Sequence, residues 1–530
     1  MEKKKIQVWL PLLLSLSMIA GMYFGYKMRD GNPGKSFFFM EKRRPIDEIL
    51  DLIQKKYVDT VNINMLADTA IEAMLSRLDP HSTFIPAKDL EQVNEEIAGS
   101  FFGIGIEFNM FDDSLHVVNV LKDGPGYKAG LKTGDKIIIA NGLSISGSKI
   151  STDSIRKILR GARGTVVDLE FLRAGKKMTT QITRDIIPIT SVDAAYMVDS
   201  IVGYIRLNKF SQQTYREFME NLEALKKKGM HKLMLDLRGN GGGVLEEAIE
   251  IADEFLDGDK LIAYTIGEHI PKKEYRCRRE GQFEKGDVVV LCDEGTASAS
   301  EILIGALQDW GRATIVGRTT FGKGLVQEQF DLSDKSALRL TIARYYTPIG
   351  RSIQRPYKNG SKAYYEEILN RYLEGRQHSS DSIKKDSTKM YTSSTGKKLF
   401  GGGGISPDLF VAADTGKMGI VSARIFTKGL MGDYGYRYFL KNRPSLEAYK
   451  SPGDFARSFE VSPENWKLFE SFNKEDSIDI SGISEKERNY LYRNIKTSIA
   501  RQLWRNEGYF EVMNMEDNTV KKGMEVLYKK

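Results

Sequence analysis

The sequence holds 530 residues, 41% hydrophobic and 28% charged, with a formal net charge of +7. These are ordinary globular values, and the length exceeds a single core, so several domains are expected. Lysines and arginines are spread along the chain rather than clustered, which argues against nucleic acid as a partner.

Lys3-Lys4-Lys5 precede an uncharged stretch from Ile6 to Tyr26. As a helix this stretch spans about 30 Å, enough to cross a bilayer. No clear small-x-small cleavage site follows, so residues 1–40 read as an uncleaved signal anchor with a polar linker. Lys27, Arg29, Arg43 and Arg44 lie on the other flank, so charge sets the orientation only weakly.

Residues 41–98 read as helical. Ile46, Ile49, Leu50 and Ile53 recur at helical spacing, as do Leu66, Ala70, Met74 and Leu78. The segment Leu78-Asp79-Pro80-His81-Ser82 closes the second helix. Residues 99–186 change to glycines and short alternating apolar runs. Ile104–Phe108, His116–Val120, Lys136–Ala140 and Val166–Leu172 read as strands, and Ser151–Leu159 as a short helix.

From 187 to 360 strand and helix alternate, the rhythm of an α/β core, and the core as a whole is bounded at 187–415. Val202–Leu207, Lys232–Leu237, Val288–Leu291 and Ala313–Val316 read as strands, and Gln213–Lys227, Val244–Leu256 and Ser298–Asp309 as helices. Within this span 361–400 reads as a polar loop, of which His378–Lys398 reads as a mobile loop or linker. Residues 416–530 are charged, aromatic and mostly helical. Their character suits a homodimer interface or an adaptor docking surface, and equally an ordinary extra lobe.

The chemistry concentrates at Ser298 and Lys323. Ser298 opens a helix in Thr296-Ala297-Ser298-Ala299-Ser300-Glu301, and Lys323 sits in the turn Phe321-Gly322-Lys323-Gly324. A serine hydroxyl attacks a carbonyl only if a base takes its proton. A lysine can be that base when neutral, which burial promotes. Gln327, four residues on, can orient the amine. An oxyanion would find the N–H of Ala299 at the helix start and a second N–H in the Gly241-Gly242-Gly243 turn, assigned to Gly242, with Asn240 bracing the turn.

Each element also has a plain explanation. Ser298 and Glu301 match a capping box, and a lysine in a glycine turn is usually solvated. The glycine run lacks the Gly-Lys-Ser/Thr ending of a phosphate loop and the spacing of a dinucleotide site. Ser300 is the weaker nucleophile, since it points away from Ser298. Among His81, His116, His231, His269 and His378, His231 stands as a minor alternative base because it precedes a core strand. No pair has metal-ligand spacing, and no cofactor is expected. Cys277 and Cys292 are the two cysteines, and a buried strand end and a charged loop explain them better than a disulfide.

Six blocks in order resemble the C-terminal processing peptidases, also called tail-specific proteases. They are Leu78–Ser82, Asp236–Gly243, Thr296–Glu301, Gly317–Gly324, Tyr346-Thr347-Pro348-Ile349-Gly350 and Gly402-Gly403-Gly404-Ile405-Ser406-Pro407-Asp408. The resemblance implies a serine endopeptidase with a Ser298/Lys323 dyad and Gln327 as orienting group, on an α/β core similar to the ClpP/crotonase fold. Gly241 departs from the family's usual proline, which bears on the Gly242 assignment. The resemblance stops near residue 415.

Residues 99–186 resemble a PDZ domain. Gly103-Ile104-Gly105-Ile106 fits its carboxylate-binding loop, where successive N–H groups converge on an anion, and the following strand offers an edge for β-augmentation. The implied substrates are proteins with exposed C-terminal tails. The implied location is the bacterial inner membrane, crossed once by the N-terminal helix, with the catalytic region in the periplasm or otherwise outside the cytoplasm. The rival expectation is a non-catalytic PDZ scaffold that binds tails on a degenerate core.

Overall fold

The computed structural model describes residues 3–30, 44–111, 113–147, 149–373, 390–414 and 418–529. Much of the expected linker, His378 and the middle of the polar loop therefore lie outside the described residues. The chain forms two compact units, residues 1–73 and 74–530. The first contains helices Lys3–Asp30 and Pro45–Lys56 and most of Ile63–Leu75. Among the described residues no helix is long and apolar enough to cross a membrane, so the anchor and membrane-partner expectations gain no support from the fold.

The second unit is built on a six-stranded sheet. Its order is Val192–Met197, Val202–Leu207, Lys232–Asp236, Val288–Cys292, Thr314–Gly317 and Leu409–Phe410, antiparallel at the first pair and parallel thereafter. Both faces are covered, as parallel sheets require. Strand alternation sends Leu233, Leu235, Val288 and Val290 into one core, with residues of helices Thr214–Lys227, Leu245–Asp253 and Ala299–Asp309. Met234, Val289 and Leu291 face the other way, onto Val520 and Leu527 of the last helix, Asn518–Tyr528.

Beside this sheet lies a second one that the sequence patterns did not reveal. Its centre is Ala337–Tyr346, paired with Thr83–Ile85, Leu325–Asp331 and Leu261–Ile266, the last of which also holds Lys273–Arg276. The expectation of helix throughout 41–98 is therefore corrected. Thr83–Ile85 is too short to show periodicity and is extended because it pairs with Ala337–Arg339.

The β-rich module has strand order Ile106–Phe111, Ser114–Val120, Lys136–Ala140, Val166–Arg173 and Lys176–Thr183, with helix Thr152–Leu159. Ser151 caps that helix by accepting the Ser154 N–H at 3.2 Å. Chain entry and exit pair as strands Ser100–Gly103 and Asp185–Pro188.

The C-terminal region is helical, and its aromatics turn inward. Tyr434, Phe455, Trp466 and Phe469 build a core of their own with Leu491 and Ile495. Tyr436 stacks on Phe111 of the β module at 5.0 Å, and its hydroxyl donates to Val117 O.

Candidate active site

Three neighbouring parallel strands end at the same edge of the main sheet, and each releases one functional loop. Lys232–Asp236 leads to the glycine turn, Val288–Cys292 to Ser298, and Thr314–Gly317 to Lys323. Crevices at the carboxyl ends of parallel strands are where α/β sheets collect ligands. His231 precedes Lys232, so it lies at the opposite end of the sheet from Ser298 and is removed as a base.

Ser298 adopts φ 56° and ψ −117°, a conformation side chains rarely accept. Surrounding contacts hold it there. The Thr296 hydroxyl donates to Leu237 O at 2.8 Å, Ala297 N–H to Asn240 O at 2.9 Å, and the Tyr345 hydroxyl to Ser298 O at 3.3 Å. The Ser300 hydroxyl is buried and donates to Asn240 O, which accounts for it without catalysis.

Asn240 braces the glycine turn. Its Nδ2 donates to Leu207 O, and its Oδ1 accepts the Gly242 N–H at 2.9 Å. The Gly242 N–H expected to face an oxyanion is therefore engaged with a side chain here. Gly242 itself packs on the nucleophile. A Cβ there would lie 2.8 Å from Ser298 Cβ and 2.9 Å from Ala299 N, at φ +93°. Ala299 N–H has no hydrogen-bond acceptor among the described residues.

Ser298, Lys323, Gln327 and the 241–243 turn line one cleft of about 790 Å³. No hydrogen bond joins Ser298 Oγ to Lys323 Nζ among the described residues. The amine donates instead to Gln327 Oε1 at 2.8 Å. A bulge between Val326 and Gln327 shifts the strand register at this point, and bulges re-aim side chains. Gln327 Nε2 donates to His81 O. His81 is held in turn by Asp79, whose carboxylate accepts the N–H groups of His81 and Ser82 and the Ser82 hydroxyl.

Burial first, and then the charge of Arg339, push the Lys323 amine below its ordinary pKa. His81 falls to about 4, through burial and then the Lys323 charge, so its ring is neutral near pH 7.

Glu301 is the residue whose role the sequence concealed. The capping-box pattern appeared to account for it, and its carboxylate does accept the Ser298 N–H at 2.9 Å. The same fully buried group also accepts Gly322 N–H at 2.8 Å, Lys323 N–H at 2.9 Å and the Thr320 hydroxyl. Burial pushes its pKa up to about 7 against those donors.

The loop Gly103–Ile106 borders a separate slot of about 600 Å³. Gly105 has φ +71°, and among the described residues strand Ile106–Phe111 pairs on one side only, with Ser114–Val120.

Comparison with known proteins places the chain in a family. Peptidase family S41 matches residues 201–359, the PDZ domain matches 103–183, and a family of unknown function matches 422–505. The carboxy-terminal-processing protease of Bartonella bacilliformis is 33% identical over 353 residues, covering 63% of this chain and 80% of that protein. Carboxy-terminal processing protease CtpA of Bacillus subtilis is 35% identical, covering 62% and 69%. Among solved structures, the photosystem II D1 C-terminal processing protease aligns at 29% identity with a TM-score of 0.34, over 60% of this chain and 85% of that one. The chain belongs to the carboxy-terminal processing proteases, serine peptidases of family S41, and carries a PDZ domain.

Proposed function

We propose that Ser298 is the nucleophile, Lys323 the general base and Gln327 its orienting partner, on a core of the ClpP/crotonase type spanning 187–415. The observation that carries this is the pairing of a serine locked at φ 56° with a lysine amine of depressed pKa in one cleft. Neutral Lys323 swings from Gln327 towards Ser298 and takes the hydroxyl proton as Oγ bonds to the scissile carbonyl carbon. The Ala299 N–H, with an N–H of the 241–243 turn, stabilises the oxyanion. Collapse breaks the C–N bond, and Lys323 gives its proton to the leaving amine. Water then attacks the acyl-enzyme, Lys323 takes its proton, and Ser298 Oγ recovers one. Catalytic hydrogen bonds commonly tighten only when substrate is bound, consistent with the amine resting on Gln327.

Gly103–Ile106 is proposed to hold the free C-terminal carboxylate of a protein substrate, whose extended tail adds to strand Ile106–Phe111. The catalytic region is proposed to act outside the cytoplasm, on the strength of Lys3–Lys5 and the uncharged stretch that follows.

The test is a fluorophosphonate probe and an unstructured substrate with a free apolar tail. Labelling at Ser298 and cleavage, both lost in Ser298→Ala, are expected. Undiminished cleavage by Ser298→Ala would refute the assignment. An alkaline phosphatase fusion after residue 45 tests the location, with activity expected only if that point is exported.

A further inference from the structure

The slot beside the PDZ loop has two walls, and only one belongs to the PDZ domain. The first comprises Gly103–Asn109 and helix Thr152–Leu159. The second is a face of the long C-terminal helix Glu485–Asn514, where Asn494, Ser498, Arg501 and Arg505 follow each other at three- and four-residue steps. Ser498 is buried and donates to Met431 O at 3.0 Å, whereas Arg501 and Arg505 are exposed.

Charge separates the residues of the slot. Arg156 pairs with Asp153, Arg160 with Glu95, and Arg505 with Glu107 on the edge strand itself. Arg501 has no ion pair or hydrogen bond among the described residues and is exposed to the slot. The helix is broken where it meets the edge strand. Trp504 has φ −130° and Arg505 has φ 58° and ψ −144°. This break accompanies the Arg505–Glu107 contact, while Asn506 beyond it donates to Asp193 of the main sheet at 2.8 Å. The helix is thus fixed to both the PDZ module and the catalytic core, and the slot lies between the helix and the PDZ module.

We infer that the C-terminal region is the second wall of the tail-binding site, and that Arg501 is a specificity-determining residue that shares with Gly103–Ile106 the terminal carboxylate of a substrate's C-terminal tail. The inference rests on the tail-binding role proposed for Gly103–Ile106. The edge strand has six residues, roughly 20 Å of extended chain, so an equally long tail can lie along it with the helix opposite. An unpaired guanidinium on the facing wall supplies the cation that a carboxylate accepts best, through paired N–H donors.

The experiment uses the full chain carrying Ser298→Ala, so that bound peptide is not cut. A labelled, unstructured ten-residue peptide with an apolar end is titrated by anisotropy, both as free acid and as C-terminal amide. The parent should prefer the acid. Arg501→Gln should weaken acid binding about tenfold and Arg501→Glu further, with the amide unchanged. Gly105→Val, which strains the PDZ loop, should also lose the acid peptide. If the parent does not prefer the acid, or Gly105→Val still binds it, the tail-binding role itself fails. If both controls behave but the Arg501 variants bind the acid as the parent does, the second wall fails alone. A benzophenone placed third from the peptide's end should crosslink within residues 494–509 as well as 103–109; crosslinks confined to 103–109 would also overturn the inference.

Discussion

Glu301 Oε2 accepts the backbone N–H of Lys323 at 2.9 Å, so the helix that begins at the serine also positions the turn that carries the lysine. The same oxygen accepts Ser298 N–H at 2.9 Å. One carboxylate therefore sets the spacing of the two groups that must exchange a proton. Glu301→Gln should lower kcat by roughly tenfold or more, since small misplacements of reacting groups carry such penalties, with KM little changed. Steady-state kinetics on an unstructured peptide will show this; an unaltered kcat would mean that Glu301 only caps its helix.

Glu301 also gives a sign for stability against pH. Its folded pKa of about 7 lies above its ordinary 4.5, so the folded state holds a proton that the unfolded chain releases first. Its contribution is fully present below about pH 4.5 and is lost as pH rises towards 7. Urea unfolding of wild type and Glu301→Gln at pH 5 and pH 8 should show the wild type losing more stability over that interval.

Catalysis should rise with pH through the depressed Lys323 pKa, because only the neutral amine accepts the serine proton. Arg339 is the principal charge lowering it, after burial. Arg339→Gln should therefore move the acid limb of kcat/KM to higher pH while leaving the plateau within severalfold. A limb that stays in place would separate the pH dependence from Lys323. Lys323→Met should lose at least a thousandfold, and Ser298→Ala with Lys323→Met no more than either alone, as for groups that act as a unit.

Gly242 tests the close packing behind the serine. Its Cβ would meet Ala297 O at 2.7 Å and Ser298 Cβ at 2.8 Å, at φ +93°. Gly242→Ala should reduce kcat about a hundredfold, the scale of a disturbed oxyanion site, with retained circular dichroism. Full activity would show that the turn yields without cost.

At the far face of the main sheet, a Cβ on Gly523 would meet Met234 Cε at 2.8 Å and Leu291 Cδ2 at 3.3 Å. Gly523→Leu overpacks this contact and should cost roughly 1–3 kcal/mol, read as a lower melting temperature. An unchanged melting temperature would indicate that helix Asn518–Tyr528 packs loosely there.

The main sheet was legible because its strands are continuous apolar runs, such as Val288–Leu291, ending in glycine turns. The relation of Ser298 to Lys323 could be read because both follow strands that prove adjacent. The hairpin Leu325–Asp331 with Ala337–Tyr346 was missed, since Arg339, Thr341 and Arg344 interrupt the apolar pattern of a partly covered strand. Glu301 was hidden by a local explanation: its three further donors come from 19–22 residues away and leave no short-range signal. Asp79 and His81 were recognisable as a motif, but their bearing on Gln327 depends on a contact 246 residues apart. The second wall at Arg501 depends on how a helical region docks, which no periodicity within it encodes.

The covering of the main sheet by Val520 and Leu527 also orders events during synthesis. When the ribosome has made the serine loop and the lysine turn, the residues that shield Met234, Val289 and Leu291 are still some 200 positions away. A nascent chain at that stage would carry a bare apolar face and be a client for chaperones. Covering of that face therefore waits until helix Asn518–Tyr528 has been made.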